Sequence, residues 1–142
     1  TNDAPGAVTR LLEMGIEPYL LTGSLLGVLA QRLVKRNCPH CLELEPVDIQ
    51  ARQSLSIDAD EQFFHGIGCE HCHQTGVDGR LTVYELLCMT EEIKNVISPD
   101  VDTAEVYKQA IKQGLVTLTD NALKRARAKE ISLAEVYRVR LD

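Results

Sequence analysis

Four of the five cysteines stand in two pairs, Cys38-Pro39-His40-Cys41 and Cys69-Glu70-His71-Cys72, each reading C-x-x-C, with residues 42–68 between them. A C-x-x-C turn points two sulfurs the same way and supplies half of a coordination sphere. Two such pairs supply four thiolates, which suits one tetrahedral divalent ion, zinc first of all. Four protein ligands leave no open position for water, so the chemistry expected of Cys38, Cys41, Cys69 and Cys72 is structural rather than catalytic. His40 and His71 sit inside the pairs, and His65 and His73 flank the second one. Any of them could replace a cysteine, but four sulfurs already fill a zinc shell. They are read as partly exposed polar residues or as donors to the thiolates. A four-thiolate zinc site is negatively charged, and backbone N–H groups, Lys35 and Arg36 are expected to offset that charge.

Other chemistry is harder to place. A rubredoxin-like iron site has similar pair spacing, but it needs glycines soon after each pair and an aromatic-rich core. Here Leu42 and His73 follow the pairs, and aromatics are only 4% of the chain. Thioredoxin-like redox chemistry uses one pair at a helix start. The zinc repeat of J-domain chaperones is similar only in Cys69-x-x-Cys72-x-x-x-Gly76. Cys88 is left over in an apolar run and reads as a small buried residue. No Ser-His-Asp set and no paired carboxylates stand out. G-x-x-x-x-G-K-[ST] is absent from the 142 residues, so they contain no P-loop to cradle a nucleotide's phosphates. Gly79-Arg80 could position an anion, but an exposed turn arginine is the simpler reading.

Composition sets the bounds. With 15 Lys and Arg against 21 Asp and Glu, the net charge is −6. An acidic chain with few aromatics makes a poor nucleic-acid binder, because phosphate affinity needs a basic surface. A length of 142 residues allows one modest core or two small subdomains. Free thiols holding a metal suit a reducing compartment, which points to the cytoplasm. The most apolar stretch, Pro18 to Leu33, is interrupted by Gly23, Ser24, Gly27, Gln31 and Arg32 and falls short of a membrane span, so membrane association is expected only through a partner. The chain lacks an initiator Met and enters a helix signal at once, which leads us to expect a fragment of a longer protein.

The elements that must hold the cysteines follow from capping and periodicity. Residues 5–14 read as a helix capped by Asn2 or Asp3, with Val8, Leu11, Leu12 and Met14 as its apolar stripe and Gly15 as its stop. Pro18 opens a second helix whose Leu20, Leu21, Leu25, Val28 and Leu29 are apolar on most sides, as in a buried helix. Residues 31–36 read as a short strand or as that helix's end. The acidic residues 42–68 hold a short helix around Val47 to Leu55 and a return strand through Phe63 and Phe64. Their carboxylates are read as solvated surface. Gly76 and Gly79 frame a turn before a strand over 81–87. Thereafter Thr90, Asp102, Thr117 or Thr119, and Ser132 are read as the caps of four helices, with Gly114 stopping the second.

Taken in order, these pieces resemble one family. Thr1-Asn2-Asp3-Ala4 is similar to the tail of the histidine box of secretion traffic ATPases, and residues 7–20 continue the match. Ala30 to Cys38 is similar to the approach to that family's tetracysteine domain. Gly68-Cys69-x-x-Cys72, Gly76, Gly79-Arg80 and Val83-Tyr84-Glu85-Leu86-Leu87 resemble its exit, and Leu118 to Val139 its closing helices. The resemblance is to type II secretion and type IV pilus assembly ATPases. It implies an α+β, mainly helical fold: the last part of a RecA-like domain (1–36), a tetracysteine zinc-knuckle subdomain (37–80) and a C-terminal helical subdomain (81–142). It further implies a homohexameric ATPase that uses ATP and Mg, is cytoplasmic, and is peripheral to the inner membrane through a platform protein. The phosphate-binding loop, acidic boxes and box histidine would lie upstream, so these residues alone are expected not to hydrolyse ATP. Arg32 would lie near the nucleotide; pairing with nearby acids is its simpler role. At Val77 the family often has an aromatic. A stand-alone metal-stapled interaction module is the reading from another class.

Overall fold

The computed structural model describes residues 3–141, except the side chain of Leu141; Asn2 as a helix cap and Thr1-Asn2 as part of a histidine-box tail lie outside the described residues. The fold is α+β with small antiparallel sheets. The elements are α1 (Ala4–Glu13), α2 (Pro18–Ser24), β1 (Gly27–Asn37), β2 (Leu42–Leu44), α3 (Ile49–Ser54), β3 (Phe64–Gly66), a 3-10 turn (Glu70–Cys72), β4 (Val77–Cys88), α4 (Glu91–Val96), α5 (Thr103–Lys112), α6 (Leu118–Arg127) and α7 (Leu133–Leu141). They divide into two compact units, Thr1–Gln31 with Tyr84–Thr117, and Arg32–Val83 with Leu118–Asp142. β1 and β4 pair as a two-stranded ribbon, and the division falls within both strands.

In the first unit, local capping starts three helices. The Asp3 carboxylate accepts from the Gly6 N–H at 2.6 Å, Thr90 Oγ1 from Ile93 at 3.3 Å, and Asp102 from Glu105 at 2.9 Å. Gly15 and Gly114 follow α1 and α5 at φ +95° and +94°, the left-handed geometry that ends a helix. The core gathers Ala4 and Val8 of α1, Leu21 of α2, Leu87 of β4, Ile93 and Ile97 of α4, and Val106 and Ala110 of α5. One acidic side chain is buried in this unit. Glu85, 1% exposed, accepts from the Ala4 N–H at 2.7 Å and the Tyr107 hydroxyl at 2.8 Å. A buried carboxylate is tolerated only with such partners.

Three expectations fail in this unit. The second helix stops at Ser24 instead of running on to Leu29, and Val28 and Leu29 belong to β1. Only Leu21 of α2 is buried, while Leu20 is 49% exposed. Thr22-Gly23-Ser24 has low helix propensity, while the Leu26 carbonyl is bonded to Met89 just after β4 and Gly27 lies close against β4. The Leu26 carbonyl accepts from the Met89 N–H at 3.0 Å, and a Cβ on Gly27 would come within 2.9 Å of the Leu87 carbonyl oxygen. Strand pairing thus overrides the local apolar pattern. Cys88 is exposed, not buried, because alternation along β4 buries Val83, Glu85 and Leu87 and turns Tyr84, Leu86 and Cys88 outward. Met14 is likewise exposed at the end of α1, outside the buried stripe.

The second unit is built on α6 packed against α7, with Leu118, Ala122, Leu123, Ala126, Ile131, Leu133, Val136 and Val139 buried. Phe63, Val34 and Val83 are fully buried as well. β2 and β3 pair antiparallel, Leu42 opposite Gly66 and Leu44 opposite Phe64. The acids of residues 42–68 are not merely solvated. Asp48 caps α3 through the Ala51 N–H at 2.7 Å, and Glu61 pairs with Arg127 at 2.6 Å. The Glu45 carboxylate accepts from the N–H groups of Leu133 and Ala134 at 2.7 and 3.1 Å, placing an anion at the start of α7 where the helix dipole favours it. Among the described residues, no helix is long and apolar enough to cross a membrane.

Candidate metal centre

Each cysteine pair sits on a turn that strand geometry delivers. Cys38 and Cys41 lie between β1 and β2; Cys69 precedes and Cys72 ends the 3-10 turn that comes before β4. Asn37, buried beside Cys38, aligns the first pair. Its backbone N–H donates to the Glu130 carbonyl at 2.8 Å, and its amide donates to the carbonyls of Phe64 and Lys129 at 3.0 and 3.1 Å. Cys38 N–H donates to the Gly76 carbonyl at 3.0 Å, and Ile67 N–H to the Cys41 carbonyl at 3.1 Å, so the two turns are bonded to each other's flanks.

The four sulfurs lie within 4.8 Å of one another and could hold a metal ion. Cys38, Cys41 and Cys72 are buried, and Cys69 is half-buried. Measured Sγ–Sγ distances are 3.8 Å for Cys38–Cys69, 3.9 Å for Cys41–Cys72 and 3.7 Å for Cys69–Cys72. A tetrahedron with zinc–sulfur bonds of about 2.3 Å has edges of about 3.8 Å. The spacing is far above a disulfide's roughly 2.05 Å, and all five cysteines are free. The donor set therefore fits a tetrahedral metal.

The thiols are unequal. Burial pushes Cys38 up to about 12 and raises Cys41 as well. Burial also pushes on Cys72, but the N–H groups of Cys69 and Gly76 and the neighbouring Sγ atoms outweigh it and bring that thiol down to about 6. The Cys69 and Gly76 N–H groups stand 3.3 and 3.2 Å from Cys72 Sγ, and the Gly68 N–H stands 3.4 Å from Cys41 Sγ. If all four were ionised around an ion, the three N–H groups would offset only part of their charge, and the cation would offset the rest. The expected help from Arg36 takes another form: its Nε donates to the Asp78 carbonyl at 3.0 Å, tying β1 to β4 below the knuckles.

Gly66 and Gly76 make the closest backbone approach around the centre. A Cβ on either would overlap the other's carbonyl oxygen. Gly76, at φ +79°, also connects the pairs, donating to Cys72 Sγ and accepting from Cys38 N–H. The sequence pointed to Gly76 as a turn residue but not to Gly66, which lies in β3 with no turn signal around it. His40 and His71 are exposed and stack on each other, ring centroids 3.9 Å apart at 21°. His65 lies opposite Glu43 in the β2–β3 pair, and His73 follows the second knuckle in a left-handed conformation. Arg32 lies half-buried in β1, on the strand face shared with Val34 and Arg36.

The sequence profile described as Type II/IV secretion system protein matches residues 1–138. Among curated proteins, the chain is 40% identical to the type IV pilus assembly ATPase TfpB of Acinetobacter baylyi, covering 98% of this chain and 24% of that protein. It is 39% identical to the putative type II secretion system protein E of Escherichia coli K12, covering 98% and 28%. It is 38% identical to the type II secretion system ATPase E of Vibrio cholerae, with the same two shares. The chain thus spans about a quarter of the length of these relatives.

Proposed function

The chain belongs to the family of Type II/IV secretion system proteins, and from that premise we propose that it is the zinc-stabilised C-terminal part of a hexameric ATPase powering type II secretion or type IV pilus assembly. The observation that carries the metal half of this reading is the set of sulfur–sulfur distances, 3.7, 3.8 and 3.9 Å, which suits zinc held by Cys38, Cys41, Cys69 and Cys72. The motor half rests on relatives named ATPases that align with nearly all of this chain.

In this reading residues 1–36 finish a RecA-like domain, 37–80 form the zinc subdomain, and 81–142 form a helical subdomain. ATP and Mg would be held by upstream residues of the parent, with Arg32 in the nucleotide's vicinity. The parent would work at the inner membrane against a platform protein. The zinc subdomain would serve as a rigid lever or docking surface. Zinc in a closed four-sulfur site supplies folding energy and fixes shape.

Metal analysis and nucleotide turnover test the two halves separately. Purified chain is expected to be colourless with one zinc per molecule; a red, iron-loaded protein or a metal-free folded one would refute the zinc assignment. ATP turnover is expected from a chain extended upstream to include a P-loop, and not from the 142 residues alone. Turnover by the short chain, or none by the extended one, would refute the motor assignment.

A further inference from the structure

Away from the cysteines, the second unit holds a cleft of about 230 Å³ between the chain segment running from β2 into α3 and the first turns of α7. Pro46, Val47, Leu133 and the half-buried Tyr137 line it, and Glu45 and Asp48 bring carboxylates to it. Pockets for cofactors and drug-sized ligands run to about 300–1,000 Å³. This cleft is below that range and matches one long side chain. No lysine or arginine lines it.

Its two acids are held in place by folding. Glu45 is fixed by the two α7 N–H groups. Asp48 uses Oδ1 on the Ala51 N–H, and its Oδ2 has no hydrogen-bond partner among the described residues. Beside them in the chain stand Leu44 and Ile49, 55% and 69% exposed aliphatic residues on either side of the acidic segment. The cleft therefore offers apolar side chains, an aromatic residue and a carboxylate acceptor to one occupant.

We propose that this cleft is a docking pocket for an arginine side chain carried on an aliphatic-flanked segment of a partner protein. The arginine stem would lie along Val47, Pro46 and Leu133, as long cationic side chains do on apolar surface. The planar guanidinium matches both remaining features: it stacks on the Tyr137 ring and pairs with Asp48. A lysine ammonium, compact and strongly hydrated, makes poorer use of the ring and the carboxylate together. Leu44 and Ile49 receive the flanking aliphatic residues. A basic partner is also what a chain of net charge −6 attracts. The proposal does not depend on which machine the chain serves.

The test uses the zinc-loaded chain, labelled with nitrogen-15, titrated with the capped peptide Leu-Ala-Arg-Ala-Leu and with its citrulline and lysine counterparts. Saturable shifts are expected at the amides of Val47, Asp48, Ala134 and Tyr137. The citrulline peptide, identical in shape but uncharged, is expected to bind at least about tenfold more weakly. Asp48→Asn, which caps α3 as well as aspartate does, is expected to weaken the arginine peptide about fivefold without altering the rest of the spectrum. Tyr137→Leu is expected to weaken it about threefold. Equal binding of the citrulline or lysine peptide overturns the proposal. So does an unaffected Asp48→Asn, or shifts that never saturate at these residues. Sedimentation showing the chain associating with itself through the cleft, with those same resonances perturbed before peptide is added, also overturns it.

Discussion

A single methyl group on Gly76 is expected to loosen the metal centre far more than one on Gly79. Three effects combine there. Gly76 sits at φ +79°, where an L side chain costs about 1 kcal/mol or somewhat more. Its Cβ would overlap the Gly66 carbonyl, and forced overpacking of this kind costs about 1–3 kcal/mol. Moving Gly76 away from Gly66 to relieve the overlap lengthens the Gly76 N–H bond to Cys72 Sγ and the Cys38 N–H bond to the Gly76 carbonyl, each worth about 0.5–1.5 kcal/mol. Taking the low end of each gives about 3–4 kcal/mol, and since metal binding and local folding are one equilibrium, zinc affinity should fall by about 10²–10³-fold. Competition against a chromophoric zinc chelator at neutral pH reads this directly. Gly79→Ala isolates the backbone effect: Gly79 has nearly the same φ, +78°, but only the Arg36 side chain nearby, at 3.8 Å. It should weaken zinc about fivefold. Zinc affinity of Gly76→Ala within threefold of the parent chain, or no lower than that of Gly79→Ala, would refute the reasoning.

Three other outcomes follow from the same geometry. Cys38→Ser or Cys69→Ser is expected to abolish tight zinc binding and to raise amide exchange across residues 37–80, leaving protection in α1, α4 and α5 unchanged; uniform loss of protection would contradict this. Zinc affinity is expected to fall with falling pH, because protons compete for the sulfurs. Burial holds Cys38 and Cys41 protonated in the metal-free centre, so at least two protons leave on binding, and affinity should drop at least about 100-fold per pH unit in the neutral range. The drop should steepen below about 6, where Cys72 also takes a proton; a flat chelator titration between neutral and acid pH would refute it. Glu85→Leu strips acceptors from the Ala4 N–H and the Tyr107 hydroxyl and is expected to destabilise the first unit by about 2–4 kcal/mol in urea unfolding. An unchanged midpoint would show that this buried carboxylate is not needed.

Local rules made much of the fold legible. Asp3, Thr90, Asp102 and Ser132 each accept from an N–H three residues on. A capping bond of that span needs nothing from the rest of the chain. The same holds for Gly15 and Gly114 at helix ends and for the helix that Asp48 opens. Misreadings occurred where a distant partner decided. The apolar run after Pro18 looks helical by itself, and it becomes strand at Gly27 because β4, some sixty residues later in the chain, pairs with it. Cys88 looks buried by its neighbours' hydropathy, and it faces outward because strand alternation follows Leu87 inward. The acids of residues 42–68 look solvated, and three of them hold specific donors: Asp48 at the start of α3, Glu61 on Arg127, and Glu45 on residues 88 and 89 positions away.

By itself the sequence determined that four cysteines could share one ion, that a P-loop is missing from these residues, and that the chain is acidic and resembles a secretion ATPase. Residue type and short spacing carry that information, because a C-x-x-C turn aims its sulfurs locally and a P-loop is a contiguous motif. Only the tertiary structure decided what holds the two pairs at 3.7–3.9 Å: the Gly66–Gly76 approach, Asn37 bonded to the stretch after α6, and N–H groups turned onto Cys41 and Cys72. It alone set the cleft beside α7, whose walls come from segments some ninety residues apart in the chain. Both depend on contacts between segments far apart in the chain, and no window of sequence contains them.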